Sequence, residues 1–288
     1  MLDFRGKIES GEFCITCEIS PPRGPNSDDF EAKIKGLAGK VSAVNITDNP
    51  MLSVRMSPVV ASFLCLRNGV EPIMQMTCRD RNILAITSEL ISACALGIKN
   101  VLVLRGDMPK DGKPQGVFEV DVAGFLKIIL DLNQGLDFRG NQINQKCDFF
   151  PGAALNPFDE INNLRANLLG KLEGGAKFFQ TQPVFDVSSL DKFVDVVQEY
   201  KANVLVGVII VASEKTLEIV KSFAKGMYIP PKLEEGISKF QSKEDKEKFG
   251  IDFALELIHS IKNTGVFRGA HIYSPANEKL ILQLVSRL

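Results

Sequence analysis

The chain has 288 residues, 45% of them hydrophobic, and a formal net charge of −1. That is apolar material for a sizeable core, and barrels of this length are routinely single domains. The near-neutral balance leaves no electrostatic footprint for nucleic acid, and no apolar run is long enough to span a bilayer.

In chain order the first strand pattern covers 13–19. Cys14-Ile15-Thr16-Cys17 has the spacing of a metal or redox pair, but positions three apart in a strand face opposite sides, so these thiols diverge. The strand leads into Glu18-Ile19-Ser20-Pro21-Pro22-Arg23. A helix over 28–37 and a strand over 42–47 follow, the latter closing on Thr47, Asp48 and Asn49. Next come a helix over 54–67, a strand over 71–77 carrying Gln75, a helix over 82–96 and a strand over 100–104. That fourth run is apolar until it meets Arg105-Gly106-Asp107-Met108-Pro109, the charge pattern of a sheet's carboxyl rim. The polar, Gly/Pro-rich 110–116 is expected as a mobile loop over a ligand.

The second half predicts a helix over 120–132, a short strand over 148–150, a helix over 160–172 and a strand over 177–182. A helix over 188–200, capped by Ser188 or Ser189, precedes a strand over 204–210 and a helix over 214–224 capped by Ser213 with Thr216. Two extra helices over 234–240 and 243–262 read as an insertion before a last strand over 269–273 and a last helix over 277–285. Eight alternating strand–helix units predict an α/β fold, a (βα)₈ TIM barrel with a helical insertion before the last strand, as a single domain over 1–288. Six scattered cysteines with no leader ahead of them predict a reduced, cytoplasmic protein. His259 and His271 stand alone, so no metal site is expected.

A barrel assembles its active site at the carboxyl ends of its strands. The residues expected there are Glu18, Asn45, Thr47, Asp48, Asn49, Gln75, Thr77, Arg105, Asp107, Phe150, Gln180 and Gln182. No lysine lies mid-strand for a Schiff base, no glycine pair follows the seventh strand for phosphate, and no carboxylate–histidine cluster offers a metal. Two carboxylates, an arginine and neutral amides suit a planar heterocycle with alternating donors and acceptors, a flavin or a pterin.

Glu18-Ile19-Ser20-Pro21-Pro22-Arg23, Leu104-Arg105-Gly106-Asp107-Met108-Pro109 and Gln180-Thr181-Gln182-Pro183-Val184-Phe185-Asp186 together resemble the methylenetetrahydrofolate reductase family, from about Gly11 to the end. The resemblance implies a flavin-dependent barrel that reduces 5,10-methylenetetrahydrofolate to 5-methyltetrahydrofolate, an oxidoreductase of one-carbon metabolism. It implies Glu18 as the general acid that protonates the departing ring nitrogen, opening a 5-iminium cation to hydride from reduced flavin. Asp107 would lie along the flavin's pyrimidine edge and stabilise that cation, and Gln182 would hydrogen-bond the pterin. Thr47, Asp48, Gln75, Arg105, Gly106, Asp107, Phe150, Asn167 and Lys171 would hold the flavin, the last two near its phosphates.

Departures from familiar members are Asp48-Asn49-Pro50 in place of an aromatic, Gln75 in place of a histidine, Asn277 in place of an arginine and Thr216 in place of a glutamine. They leave open FAD or FMN, and NADH, NADPH or a partner's iron–sulfur cluster as electron source. This variant looks like the reductases of anaerobic folate pathways, and an oligomer or hetero-complex is expected. Two alternatives stand beside this reading: a pterin-binding methyltransferase barrel without flavin, and a barrel subunit acting only with a redox partner.

Overall fold

Each of the eight expected strands forms, and each pairs in parallel with its sequence neighbour until the last meets the first. The computed structural model describes residues 3–108, 114–223, 227–275 and 277–288. Its strands are β1 (Cys14–Ile19), β2 (Ala43–Ile46), β3 (Pro72–Thr77), β4 (Asn100–Leu104), β5 (Phe150–Leu155), β6 (Phe178–Val184), β7 (Val204–Ile209) and β8 (Gly269–Tyr273). Cys14 opposite Gly269 closes the ring. The helices are α1 (Phe4–Ser10), α2 (Asp28–Leu37), α3 (Pro58–Arg67), α4 (Ile83–Ala95), α5 (Val122–Gln134), α6 (Ile161–Glu173), α7 (Asp191–Glu199), α8 (Glu214–Phe223), α9 (Pro231–Lys239), α10 (Lys243–Asn263) and α11 (Lys279–Val285).

The strands read as unbroken apolar runs because one face meets the barrel interior and the other the helices. Val101 and Val103 of β4 lie in the outer core beside Phe125 and Ile129 of α5, while Leu102 faces the barrel axis. At the amino-terminal end the interior is floored by Cys14, Ala43, Ile73, Leu102, Phe150, Phe178 and Leu205. The short helix α1, which the apolar pattern does not announce, plugs this floor with Phe4 and Ile8. Phe4 meets Phe178 edge-on at 5.1 Å, and Phe178 stacks on Phe150 at 5.5 Å. Asp3 caps α1 by accepting from the Gly6 N–H.

Three expectations need correction. The fifth strand begins at Phe150 and does not end there. Pro151-Gly152-Ala153-Ala154 has little strand propensity, and only closure between β4 and β6 makes it a strand. Helix α7, expected to start at 188, is preceded by a 3₁₀ turn, Val187–Leu190, capped by Asp186 accepting from Ser188 N–H, so the cap belongs to Asp186 and not to a serine. Of the helices between β7 and β8, α10 packs on both strands and takes the barrel position. The inserted pair is α8 with α9, which joins Phe185, Ile209 and Val211 in a separate apolar cluster. The Ser213 cap holds, with Thr216 N–H donating to its hydroxyl. No described helix is long and apolar enough to cross a membrane.

Candidate active site

Strand parity turns Cys14, Thr16 and Glu18 to the interior. Halfway up the barrel this produces a buried polar layer. Asn45 and Gln180 exchange two amide hydrogen bonds across the barrel, at 2.7 and 3.1 Å. Gln180 also donates to Thr16 Oγ1, which pairs with His271 Nδ1 at 2.9 Å. Burial lowers the His271 pKa to about 3, so the ring is neutral, and its Nε2 is buried with no partner among the described residues.

Glu18 sits one layer higher, at the carboxyl-terminal mouth. Gln75 Nε2 donates to Glu18 Oε2 at 2.9 Å. Because β2 lies between β1 and β3 in the sheet, this bond bridges over one strand on the interior face. Burial pushes the Glu18 carboxyl up to about 7, opposed by the Gln75 donation and assisted by the charge of Glu278. Glu278 accepts from Ser20 N–H and is paired with Lys33, tying the turn before α11 to the loop after β1. Thr47, 2% exposed, has a hydroxyl with no partner among the described residues. Such an orphan is destabilising unless a ligand or water satisfies it.

Asp48 is held within the protein. Its carboxylate accepts from Thr77 N–H at 2.9 Å and Thr77 Oγ1 at 3.0 Å, and takes a two-pronged Arg81 guanidinium at 2.6 and 3.2 Å. With both oxygens engaged internally, the side chain anchors the ends of β2 and β3 to each other. Arg79 beside it is fully buried, clamped on Asp80 at 2.6 and 2.7 Å and on the Asn49 carbonyl at 3.2 Å.

The fourth strand ends as expected in Arg105, Gly106 and Asp107. Gly106 has φ +88, and a Cβ there would lie 2.8 Å from Arg79 Cβ and 3.1 Å from Thr77 Cβ. Both the left-handed backbone and the missing side chain are needed to bring this turn against β3. We expect Gly106→Ala to cost about 2 kcal/mol, read as a lower midpoint in thermal or urea unfolding. A loss within about 0.5 kcal/mol would mean that the turn relaxes freely. Asp107 is exposed, and its charge helps hold Arg79 protonated, after the larger effect of Asp80. Arg105 lies over the Phe118 ring at 5.8 Å.

On β6 the register slips by one residue between Gln180 and Pro183. Thr181 stabilises this bulge, accepting from Gly207 N–H at 2.8 Å and from Tyr273 Oη through its carbonyl at 3.0 Å. A Cβ on Gly207 would lie 2.6 Å from the Thr181 carbonyl oxygen, so only glycine fits beneath the bulge. The slip leaves Gln182 exposed at the mouth, unlike buried Gln180. Bulges beside sites commonly re-aim a side chain in this way.

Lys171 bends back from α6 to donate to the Ala154 carbonyl on β5 at 2.7 Å. Burial lowers its pKa to about 8, against the charge of Asp159. Asn167, one turn earlier, is exposed. Phe150 is the exception: it belongs to the barrel floor, at the opposite end from Glu18 and Asp107. Residues 110–113 of the expected loop over the ligand lie outside the described residues, and no cluster of three metal-ligating side chains occurs among those described.

Several site residues escape sequence reasoning. Tyr273 closes β8 and feels the Glu18 charge; burial first, then that charge, raises its phenol well above the usual range. Arg79 and Arg81 were visible only as two cations directly after an apolar strand, a signal of a strand end but not of burial. His271 gave no sign that its ring belongs to the polar layer.

These features define a (βα)₈ barrel whose carboxyl-terminal mouth gathers a carboxyl near neutrality, amide side chains and a buried hydroxyl without a partner. The chain belongs to the methylenetetrahydrofolate reductase family, whose model, described as "Methylenetetrahydrofolate reductase", it matches over residues 3–288. It is 22% identical to "Probable methylenetetrahydrofolate reductase (NADPH)" of Caenorhabditis elegans, over 98% of this chain and 43% of that protein. It is 25% identical to "5,10-methylenetetrahydrofolate reductase" of Salmonella typhimurium, over 92% of this chain and 86% of the relative. The chain thus spans less than half the length of some of the relatives it matches and most of the length of others. A solved structure similar in fold, with TM-score 0.70, 18% identity and coverage of 99% of this chain and 98% of that one, is a Clostridium thermocellum protein described as binding two copies of 5-methyl-5,6,7,8-tetrahydrofolic acid.

Proposed function

We propose that this chain reduces 5,10-methylenetetrahydrofolate to 5-methyltetrahydrofolate at the barrel mouth, with a flavin as the resident cofactor and Glu18 as general acid. The observation that carries the reading is the Glu18 carboxyl, half-buried, held by Gln75 and able to keep a proton near neutral pH. Family membership over nearly the whole chain supports the same substrate.

The residues at the mouth fit a flavin. The Thr47 hydroxyl needs a partner that the described residues do not supply. Gly106 brings a bare backbone turn to the rim, and Arg105, Asp107 and Gln75 offer the mixture of donors and acceptors that a pyrimidine edge requires. Lys171 and Asn167 would meet the phosphates, and Lys171 can exchange its carbonyl partner for a charged one. Phe150, on the barrel floor, drops out of this set, and Asp48 would serve it by fixing the rim between Thr47 and Thr77. A bound reduced flavin supplies the hydride.

The protein's own residues do the rest. Glu18 holds a proton on its carboxyl and delivers it to the substrate nitrogen that must leave, which an ionised surface glutamate cannot do at pH 7. Asp107 presents negative charge at the rim where cationic character develops. Gln182, freed by the bulge, hydrogen-bonds the pterin edge. Cytoplasmic NADH, NADPH or an iron–sulfur partner subunit would renew the reductant, FAD being the preferred flavin and FMN the alternative.

The test is anaerobic reduction of the flavin-loaded chain by NADH, NADPH and reduced ferredoxin in separate trials, followed by addition of methylenetetrahydrofolate. Expected are bleaching of the yellow protein by one donor and return of colour with the folate. Persistent bleaching after folate addition would overturn the reading. A colourless protein that binds folate tightly would favour the second reading, a folate-binding barrel without flavin, which the ligand of the Clostridium thermocellum protein brings forward.

A further inference from the structure

We propose that Gln75 is a positioning residue for Glu18, an amide that holds the carboxyl in either protonation state by inverting when the proton moves. The proposal rests on the reading of Glu18 as the proton donor and adds the device that lets it carry a proton without losing its place.

With Glu18 ionised, Gln75 Nε2 donates to Oε2, as the 2.9 Å contact records. No other hydrogen bond from the described residues reaches the Glu18 carboxylate, so this amide alone fixes its orientation. Gln75 is itself 5% exposed, and its Oε1 receives no hydrogen bond from the described residues. When Glu18 gains a proton on Oε2, the oxygen that Gln75 holds, that oxygen becomes an O–H donor and a weak acceptor, and the NH₂ group becomes its poor partner. A half-turn of the amide then offers Oε1 to that O–H and directs the NH₂ group elsewhere in the mouth. The pair remains hydrogen-bonded in both states, and the amide reports the proton by the face it presents.

The residue type matters. A lysine or arginine at 75 would hold Glu18 ionised by charge, and a leucine would leave the carboxyl without a partner. Among common side chains of this length, the neutral amide serves both states. The other groups facing Glu18 do not supply such a device. Tyr273 of β8 is committed through Oη to the Thr181 carbonyl. Glu278, before α11, is paired with Lys33 and contributes repulsion only. His271, in the layer below, is neutral and bonded to Thr16. Cys17, adjacent in sequence, faces the outer core.

The experiment titrates the Glu18 carboxyl in the ligand-free protein by ¹³C NMR of Glu-labelled chain, assigned with Glu18→Gln, while ¹⁵N NMR follows the Gln75 side-chain amide. The wild type is expected to show one shared midpoint in both signals, close to 7. Gln75→Leu should raise the carboxyl midpoint by about one pH unit, and Gln75→Lys should lower it by at least as much. In Glu18→Gln the Gln75 amide signal should become independent of pH. If both Gln75 variants leave the midpoint within about 0.3 of wild type, or the wild-type amide ignores the Glu18 transition, the proposal falls. If Gln75→Leu does not fold, Gln75→Lys decides alone, with circular dichroism confirming its fold. Because no flavin or folate is present, these outcomes are separate from failure of the reductase reading.

Discussion

Glu18→Gln is expected to lower the rate of methylenetetrahydrofolate reduction by at least about 100-fold while leaving flavin binding intact, because general acids of this kind contribute between about 10² and 10⁴. The amide keeps the shape and the Gln75 contact but carries no transferable proton. The same residue should impose a pH limit on the native protein. With a carboxyl held up to about 7, kcat/KM falls as pH rises through that value and the proton is lost. Stopped-flow reoxidation of the reduced protein across pH reads both effects, and a variant with wild-type turnover and an unchanged profile would remove Glu18 from the acid role. Stability carries a matching sign. The folded carboxyl binds its proton more tightly than the unfolded one, whose ordinary value is 4.5. That contribution is full below about 4.5 and is lost as pH rises through 7. Glu18→Gln abolishes the slope, so at pH 8 the variant should be more stable than wild type by about 2 kcal/mol, allowing for solvent at the half-buried group.

Removing either member of the Asp48–Arg81 pair is expected to cost about 3–5 kcal/mol. Asp48 is 0% and Arg81 9% exposed in their side chains, and the contact is 2.6 Å. Arg81→Met strands a buried carboxylate on the Thr77 donors, and Asp48→Asn leaves the guanidinium a neutral amide oxygen and partly exposed Glu89 as its one anion among the described residues. The double variant should cost less than the sum of the singles, since neither charge is then left alone. For a chain of this length each single loss corresponds to a drop in Tm of roughly 10 °C. Calorimetry at low and high salt is the measurement; a cost below about 1 kcal/mol, or strong screening by salt, would show a surface pair instead. Because Asp48 and Thr77 follow Thr47 and Gln75 closely in the chain, weakened flavin binding should accompany the loss.

The barrel was legible because its signal is local and repeated. A parallel strand buried on both faces must be an apolar run, a surface helix must be amphipathic, and their alternation survives errors of a few residues at each boundary. Glu18, Gln75 and Asp107 were legible for a related reason: a polar residue that closes an apolar strand has few places to be other than the rim. By itself, then, the chain determined the fold class and which polar residues close its strands; the acid role proposed for Glu18 came from the family resemblance.

What tertiary structure decided was every feature that depends on partners distant in sequence. Pro151-Gly152-Ala153-Ala154 is a strand only because β4 and β6 leave a gap of one strand, and that placed Phe150 on the floor. The two ends of the Asp48–Arg81 pair are 33 residues apart, so no local pattern shows that the carboxylate is already engaged. The bulge that exposes Gln182 exists because Thr181 meets Gly207 and Tyr273 from two other strands. The Glu18 proton likewise depends on burial and on Gln75 two strands away. Periodicity records which side of an element faces inward; which groups meet there, and at what dielectric cost, is set only when the ring closes.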